Sequence, residues 1–293
     1  MLHTYNHIIT YGDLFIIILM KGLYMKNKVF EYTKNTTRLV LVWYMLRSIT
    51  GEFVLLLEEA LSRLFVNMNT NSKYIVHLFS YLIDIAIICI YTLLVENRQV
   101  IYENKNQKFK KDDILLGVVI GGLFISSNIA IFYAFRTVYF TKGELSIFLL
   151  IYIIGNIILA FGEELIFRGY FLINIKNNKV YWIVISSLLF ALSHEFELVN
   201  FIDQFIFGLV LGLIIVKRKN IILSTFLHAT NNLFLINIFG TKGEDYYSLL
   251  YLKENPYVHV LIFDNGLFMI LLRIILLLII VFILFSNKKI IQK

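Results

Sequence analysis

The chain has 293 residues, of which 59% are hydrophobic and only 16% charged, with a formal net charge of +7. A soluble domain carries about 25% charged residues, so a water-soluble globule is excluded. The basic residues fall in short loops between apolar runs rather than in a patch suited to nucleic acid.

Several separate apolar runs approach or exceed the roughly 18 residues that cross a bilayer as helix. No series of ten-residue alternating strands suggests a β-barrel. The expected class is all-α: a polytopic membrane protein with an intramembrane polar cavity. Cys89 is the single cysteine, which excludes an internal disulfide. Pro256 is the single proline, so the helices are free of ring kinks.

Residues 1–38 read as a cytoplasmic segment. The apolar run Leu14 to Leu19 is too short to span, and no small-residue cleavage pattern follows it. Met25 opens a second, lysine-rich beginning and is an alternative start. About eight spans are expected in a single transmembrane domain over 39–285, followed by a cytoplasmic tail over 286–293. The first four run from Leu39 to Leu57, Tyr74 to Val95, Ile114 to Phe135 and Leu145 to Phe167. The later four run from Val180 to Phe196, Leu198 to Val216, Ile221 to Phe239 and Leu267 to Phe285. Arg47 and Glu52 interrupt the first, and Phe53 to Phe65 reads as an interfacial continuation of it.

Loop charge supports this count. With the N-terminus inside, 19 of the 27 lysines and arginines fall on the cytoplasmic side and six on the other. That asymmetry is what the positive-inside rule expects, and it puts both termini in the cytoplasm. The longest outer connection, Gly240 to Asn265, is rich in tyrosine and reads as an interfacial belt or a short surface helix.

Charges inside apolar runs are costly, at about 2.5–3.5 kcal/mol each on insertion scales, and mark functional sites. The fourth span ends in Gly162-Glu163-Glu164-Leu165-Ile166-Phe167-Arg168-Gly169. Glu164 and Arg168 are four apart with the acid first, the favourable helical pairing order. Glu163 is rotated about 100° from Glu164 and is left to act on a substrate. The two glycines permit close approach of a helix or ligand. In the fifth span Phe190 and His194 are four apart, as are His228 and Asn232 in the seventh, so each pair shares a helical face. Asn231 faces away from Asn232, so one of the two points inward with His228.

A single intramembrane histidine is ordinarily a helix-to-helix hydrogen-bond partner; two acids, two histidines and an asparagine on three spans point to a site. Asp203 and Gln204 are further candidates for lining it, while His77 and Asp84 read as structural partners of Arg47 or Arg273. In this topology the Glu-Glu-Arg stretch lies at the cytoplasmic end of its span. Glu195 and Glu197 put His194 toward the opposite side, so an uneven or re-entrant helix is needed to unite them.

Glu-Glu-x-x-x-Arg, Phe-x-x-x-His and His-x-x-x-Asn, each on its own span, resemble the CPBP family, the CAAX prenyl endopeptidase and bacteriocin-processing (Abi) group of intramembrane glutamic proteases. The likeness covers about Glu163 to Asn232, within a core of about 145–239. It implies peptide-bond hydrolysis inside the membrane, with no cofactor. Glu163 would be the base that activates water, assisted by His194. His228 and Asn232 would stabilise the oxyanion, with Glu164, Arg168 and Phe190 as supporting or substrate-positioning residues. In a dry cavity a carboxylate holds protons more tightly and is a better base near neutral pH, and oxyanion donors gain strength there.

Two other readings remain. Histidines and acids together can ligate zinc, but the HExxH pattern is absent because His194-Glu195 lacks the second histidine. A non-proteolytic scaffold or immunity protein of the same fold is a different class; it would survive loss of Glu163. A transporter is disfavoured, for want of an inverted repeat. Abundant Ile, Lys and Asn with scarce Pro suggests an AT-rich bacterial source. A bacterium without protein prenylation has no CAAX substrate, so the expected partner is a secreted-peptide precursor or a membrane protein.

Overall fold

The computed structural model describes residues 111–143, 148–169, 179–194, 197–241, 248–254 and 267–286, with scattered positions between 41 and 93. Only scattered positions of the first two expected spans are described, and Arg47, His77, Asp84, Glu195, the N-terminal segment and most of the C-terminal tail lie outside the described residues. The chain divides into two compact units, Met1–Ile49 and Thr50–Lys293, and every element below belongs to the second.

Six helices follow the expected third to eighth spans: α1 Lys111–Ala134, α2 Phe148–Glu164, α3 Lys179–Leu192, α4 Leu198–Arg218, α5 Ile222–Leu233 and α6 Leu267–Ser286. Among the described residues α1 and α4 are long and apolar enough to cross a membrane. Large apolar side chains such as Leu115, Leu123, Ile154, Leu278 and Phe282 are exposed on the outer faces, a surface that suits lipid and not water. Two helices end in π-helical turns, α2 at Leu165–Gly169 and α5 at Phe234–Ile238.

The fold is not helical throughout. Strands β1 Val138–Lys142 and β2 Leu250–Glu254 pair antiparallel, with Phe140 opposite Leu252. The connection after α5, read from sequence as an interfacial belt or a short surface helix, contributes a strand over Leu250–Glu254 among its described residues. Each segment opens with three aromatic or branched residues and closes with two polar ones, residue types that include good strand formers. Their pairing requires the α1–α2 and α5–α6 connections to lie at one end of the bundle.

Helix α5 packs chiefly on α1 and α2, while α4 packs on α3 and α6. The α1–α5 contact depends on Gly117 and Gly121, one turn apart. A Cβ built at Gly121 would lie 2.7 Å from the carbonyl oxygen of Leu227 and 3.1 Å from the Thr230 Cβ. The two backbones therefore touch, the geometry that a small-x-x-x-small pair permits. The α4–α5 turn is short: Lys219 takes a left-handed conformation (φ +56°) and donates its N–H to the Ile215 carbonyl. Asn220 then accepts from the Ile222 N–H at 3.1 Å and donates to buried Asp113 of α1 at 3.1 Å. These bonds fix how far α5 rises beside α1, and so the depth of His228.

Gly121→Val overpacks this contact and is expected to lower stability by roughly 1–3 kcal/mol, read as a lower melting temperature of the purified protein in detergent. Leu123→Ala, two residues away on the exposed face, serves as the control. Equal melting of Gly121→Val and wild type would contradict the packing described.

Candidate active site

Helix α2 delivers two carboxylates to the bundle interior and then widens into a π turn that carries Arg168. Glu163, Glu164 and Arg168 are 6%, 0% and 2% exposed. Arg168 Nη1 donates to Glu164 Oε1 at 2.9 Å, the i,i+4 pair that the spacing predicts. Its Nη2 approaches the Gly208 carbonyl at 3.5 Å, and its guanidinium carbon lies 4.3 Å from the centroid of the Phe190 ring. A cation stacked on an aromatic face in a dry interior gains on the order of 2 kcal/mol.

Gly208 is the midpoint of α4, about 15 Å from either end at 1.5 Å per residue. The Glu-Glu-Arg stretch, at the end of α2 as the sequence suggested, meets α4 halfway along it. This removes the expected separation from His194, since Phe190 reaches the same depth.

A Cβ at Gly208 would lie 3.0 Å from Ser187 Cα and 3.2 Å from Arg168 Nη2, so both α3 and the guanidinium need a glycine there. Ser187 opposite is itself small and returns its hydroxyl to the Ile183 carbonyl at 2.6 Å. Neither residue stands out by charge or by motif; the available signal was the Gly208-x-x-x-Gly212 spacing. Gly162 packs similarly close to Ile85, at 3.1 Å from a built Cβ.

His228 of α5 lies between the two acids. Its Nδ1 is 3.2 Å from Glu164 Oε1, and its Nε2 is 3.7 Å from Glu163 Oε2. Glu164 accepts only, so the short contact puts a proton on Nδ1 and leaves Nε2 facing Glu163. Phe190 and Phe207 hold the imidazole from two sides, edge to face, with centroids at 5.6 and 5.5 Å. One oxygen of each acid, Glu163 Oε2 and Glu164 Oε2, is buried with no hydrogen bond.

His194 joins this group through Phe190. Helix α3 ends at Leu192, so His194 follows the helix rather than occupying its last turn as expected. Its ring nonetheless stays 4.6 Å from the Phe190 centroid, and its Nδ1 lies 2.8 Å from the Phe190 carbonyl. Phe190, read from sequence as a supporting residue, is thus in contact with Arg168, His194 and His228 together. Asn231 is buried at 3% exposure and donates to Asn232 Oδ1 at 3.4 Å, while Asn232 is half-buried.

Asp203 does not stand alone as a cavity residue: it pairs with Arg273 of α6. Gln204 lies 3.5 Å from Asn200 on its own helix. Among the described residues no three His, Cys, Asp or Glu side chains group as metal ligands.

Removing one partner of a buried ion pair strands the other charge and costs about 3–5 kcal/mol. Arg168→Met should accordingly destabilise the purified protein strongly in thermal unfolding. Glu164→Gln combined with Arg168→Met should recover most of the loss, because neither charge is then left alone. If the double variant melts no higher than the single, the pairing is not what holds this region.

Residues 144–234 match the family model described as Type II CAAX prenyl endopeptidase Rce1-like, a family of membrane-embedded proteases. The UPF0177 protein YxdF of Lactococcus lactis subsp. lactis (strain IL1403) is 39% identical over 92 residues, 31% of this chain and 51% of that protein. The chain thus spans about half the length of the curated relative it matches. The matching stretch contains all three motifs, and over it the chain is similar to Rce1-like CAAX prenyl endopeptidases.

Proposed function

We propose that the chain is an intramembrane endopeptidase in which Glu163 activates water against a peptide bond of a membrane-associated substrate or peptide precursor. The observation that carries this reading is the relation of Glu163 to His228. A buried carboxylate oxygen without a hydrogen bond faces the free nitrogen of an oriented imidazole across 3.7 Å. That gap exceeds a direct hydrogen bond and suits one bridging water.

Charge favours the same division of labour. Glu163, Glu164 and Arg168 together leave one negative charge in a nearly dry interior, which one proton shared between Glu163 and His228 neutralises. In hydrolysis Glu163 takes a proton from water as the oxygen bonds to the substrate carbonyl carbon. His228 Nε2–H and the Asn232 amide donate to the resulting oxyanion, with His194 assisting. The carbon–nitrogen bond then breaks, and the proton passes to the leaving amine. Glu164 holds Arg168 and the Nδ1 proton of His228 throughout. Those bonds take its inner oxygen out of any metal's donor set, so the proposal invokes no metal.

We place this chemistry in an eight-span chain of a bacterial plasma membrane with both termini cytoplasmic. A secreted-peptide precursor is the favoured substrate, as the lactococcal relative fits a bacterial setting.

Glu163→Gln keeps the shape of the side chain and removes the base. A general base contributes typically 10²–10⁴-fold, so cleavage should fall by at least about a hundredfold while the protein remains folded. The measurement is a comparison of new peptide termini in native membranes carrying wild type or Glu163→Gln. The hydrolytic reading predicts loss of a discrete set of termini; identical sets, with the cellular phenotype intact, would favour the scaffold.

A further inference from the structure

Arg273 takes no part in the scheme above and lies outside the matched stretch 144–234. It is 3% exposed, in a helix that otherwise presents apolar residues. Its Nε pairs with Asp203 of α4, and its guanidinium carbon lies 4.4 Å from the centroid of Phe207 and 5.2 Å from that of Phe124. Phe207 in turn presents its ring to His228 at 84° between planes.

The same construction stands on the other side of the imidazole. Phe190 meets His228 at 79°, Arg168 stacks on Phe190, and Glu164 pairs with Arg168. His228 is therefore gripped by two phenylalanines, each with a buried guanidinium stacked on it and each guanidinium paired with a carboxylate. We propose that Arg273, held by Asp203, is a positioning residue for His228 that acts through Phe207.

The physical reason is orientation. An edge-to-face ring contact fixes an imidazole only if the phenylalanine cannot itself rock, and Phe207 belongs to a helix whose neighbouring face contains Gly208. A flat guanidinium against its ring restrains that motion. With both phenylalanines fixed, the ring nitrogens keep their assignment, Nδ1 to Glu164 and Nε2 to Glu163. That this matters for turnover rests on the hydrolytic reading; that Arg273 orients the ring does not.

The alternative is that Asp203 and Arg273 simply fasten α4 to α6. Lysine separates the two, because it preserves the ion pair but cannot lie flat on a ring. Ring ¹⁵N shifts of histidine-labelled protein in detergent, with His228 assigned by difference from His228→Gln, report the tautomer directly. Wild type should show a single ring state, with Nδ1 protonated toward Glu164 and Nε2 sharing a proton with Glu163. In Arg273→Lys the population of other ring states should rise by roughly three- to tenfold, in keeping with the strength of a cation–π contact.

Asp203→Asn with Arg273→Gln leaves no unpaired buried charge and should produce the same change if the lysine variant folds poorly. An unaltered Nδ1–H spectrum in either folded variant overturns the proposal. The measurement involves no substrate, so it fails or succeeds independently of whether the chain cleaves a peptide.

Discussion

A guanidinium buried halfway along a helix bundle, with no water to solvate it, constrains everything around it. Arg168 meets that constraint with Glu164, the Gly208 carbonyl and the face of Phe190. Each partner then limits its own helix. Glu164 has to be four residues earlier on α2, Gly208 has to lack a side chain so that α4 can approach, and Phe190 has to reach across from α3. His228 enters as the second donor to Glu164, which ties α5 to the same point. Four helices are thus held to one ion pair, and Glu163 Oε2 is left buried without a hydrogen bond beside His228.

The bilayer accounts for the rest of the packing. Apolar burial offers little drive between helices when lipid is as apolar as leucine, so close backbone approach and buried polar contacts take its place. Gly117 and Gly121 bring α1 onto α5, Gly208 and Gly212 bring α4 onto α3, and Asn156 of α2 donates to Asn237 after α5 at 3.0 Å. Asp113 with Asn220, and Asp203 with Arg273, add fixed points at other levels. The β1–β2 ribbon ties two connections together at one end.

Much of this was legible in the sequence because helices leave periodic traces. Six helices appear within a few residues of where apolar length put spans, and the Glu164–Arg168 pair follows from spacing alone. What could not be read depends on contacts between distant segments. Nothing in the spacing of Phe190 marks it as a platform for Arg168, because stacking between helices has no period. The Asp203–Arg273 pair spans 70 residues, and a lone charge in an apolar run announces a partner without naming it. The five-residue strands are too short to stand out until paired.

The account stands or falls on Glu163 and His228 acting as one proton-handling unit inside this cage. A double-mutant cycle tests that most directly, with Glu163→Gln, His228→Gln and their combination compared for the rate at which cleaved termini appear in native membranes. Residues that work as a unit are grossly non-additive, so the double variant should be no slower than the worse single variant, within about threefold. Losses that multiply would show two independent contributions and contradict the shared proton, as would cleavage that survives Glu163→Gln.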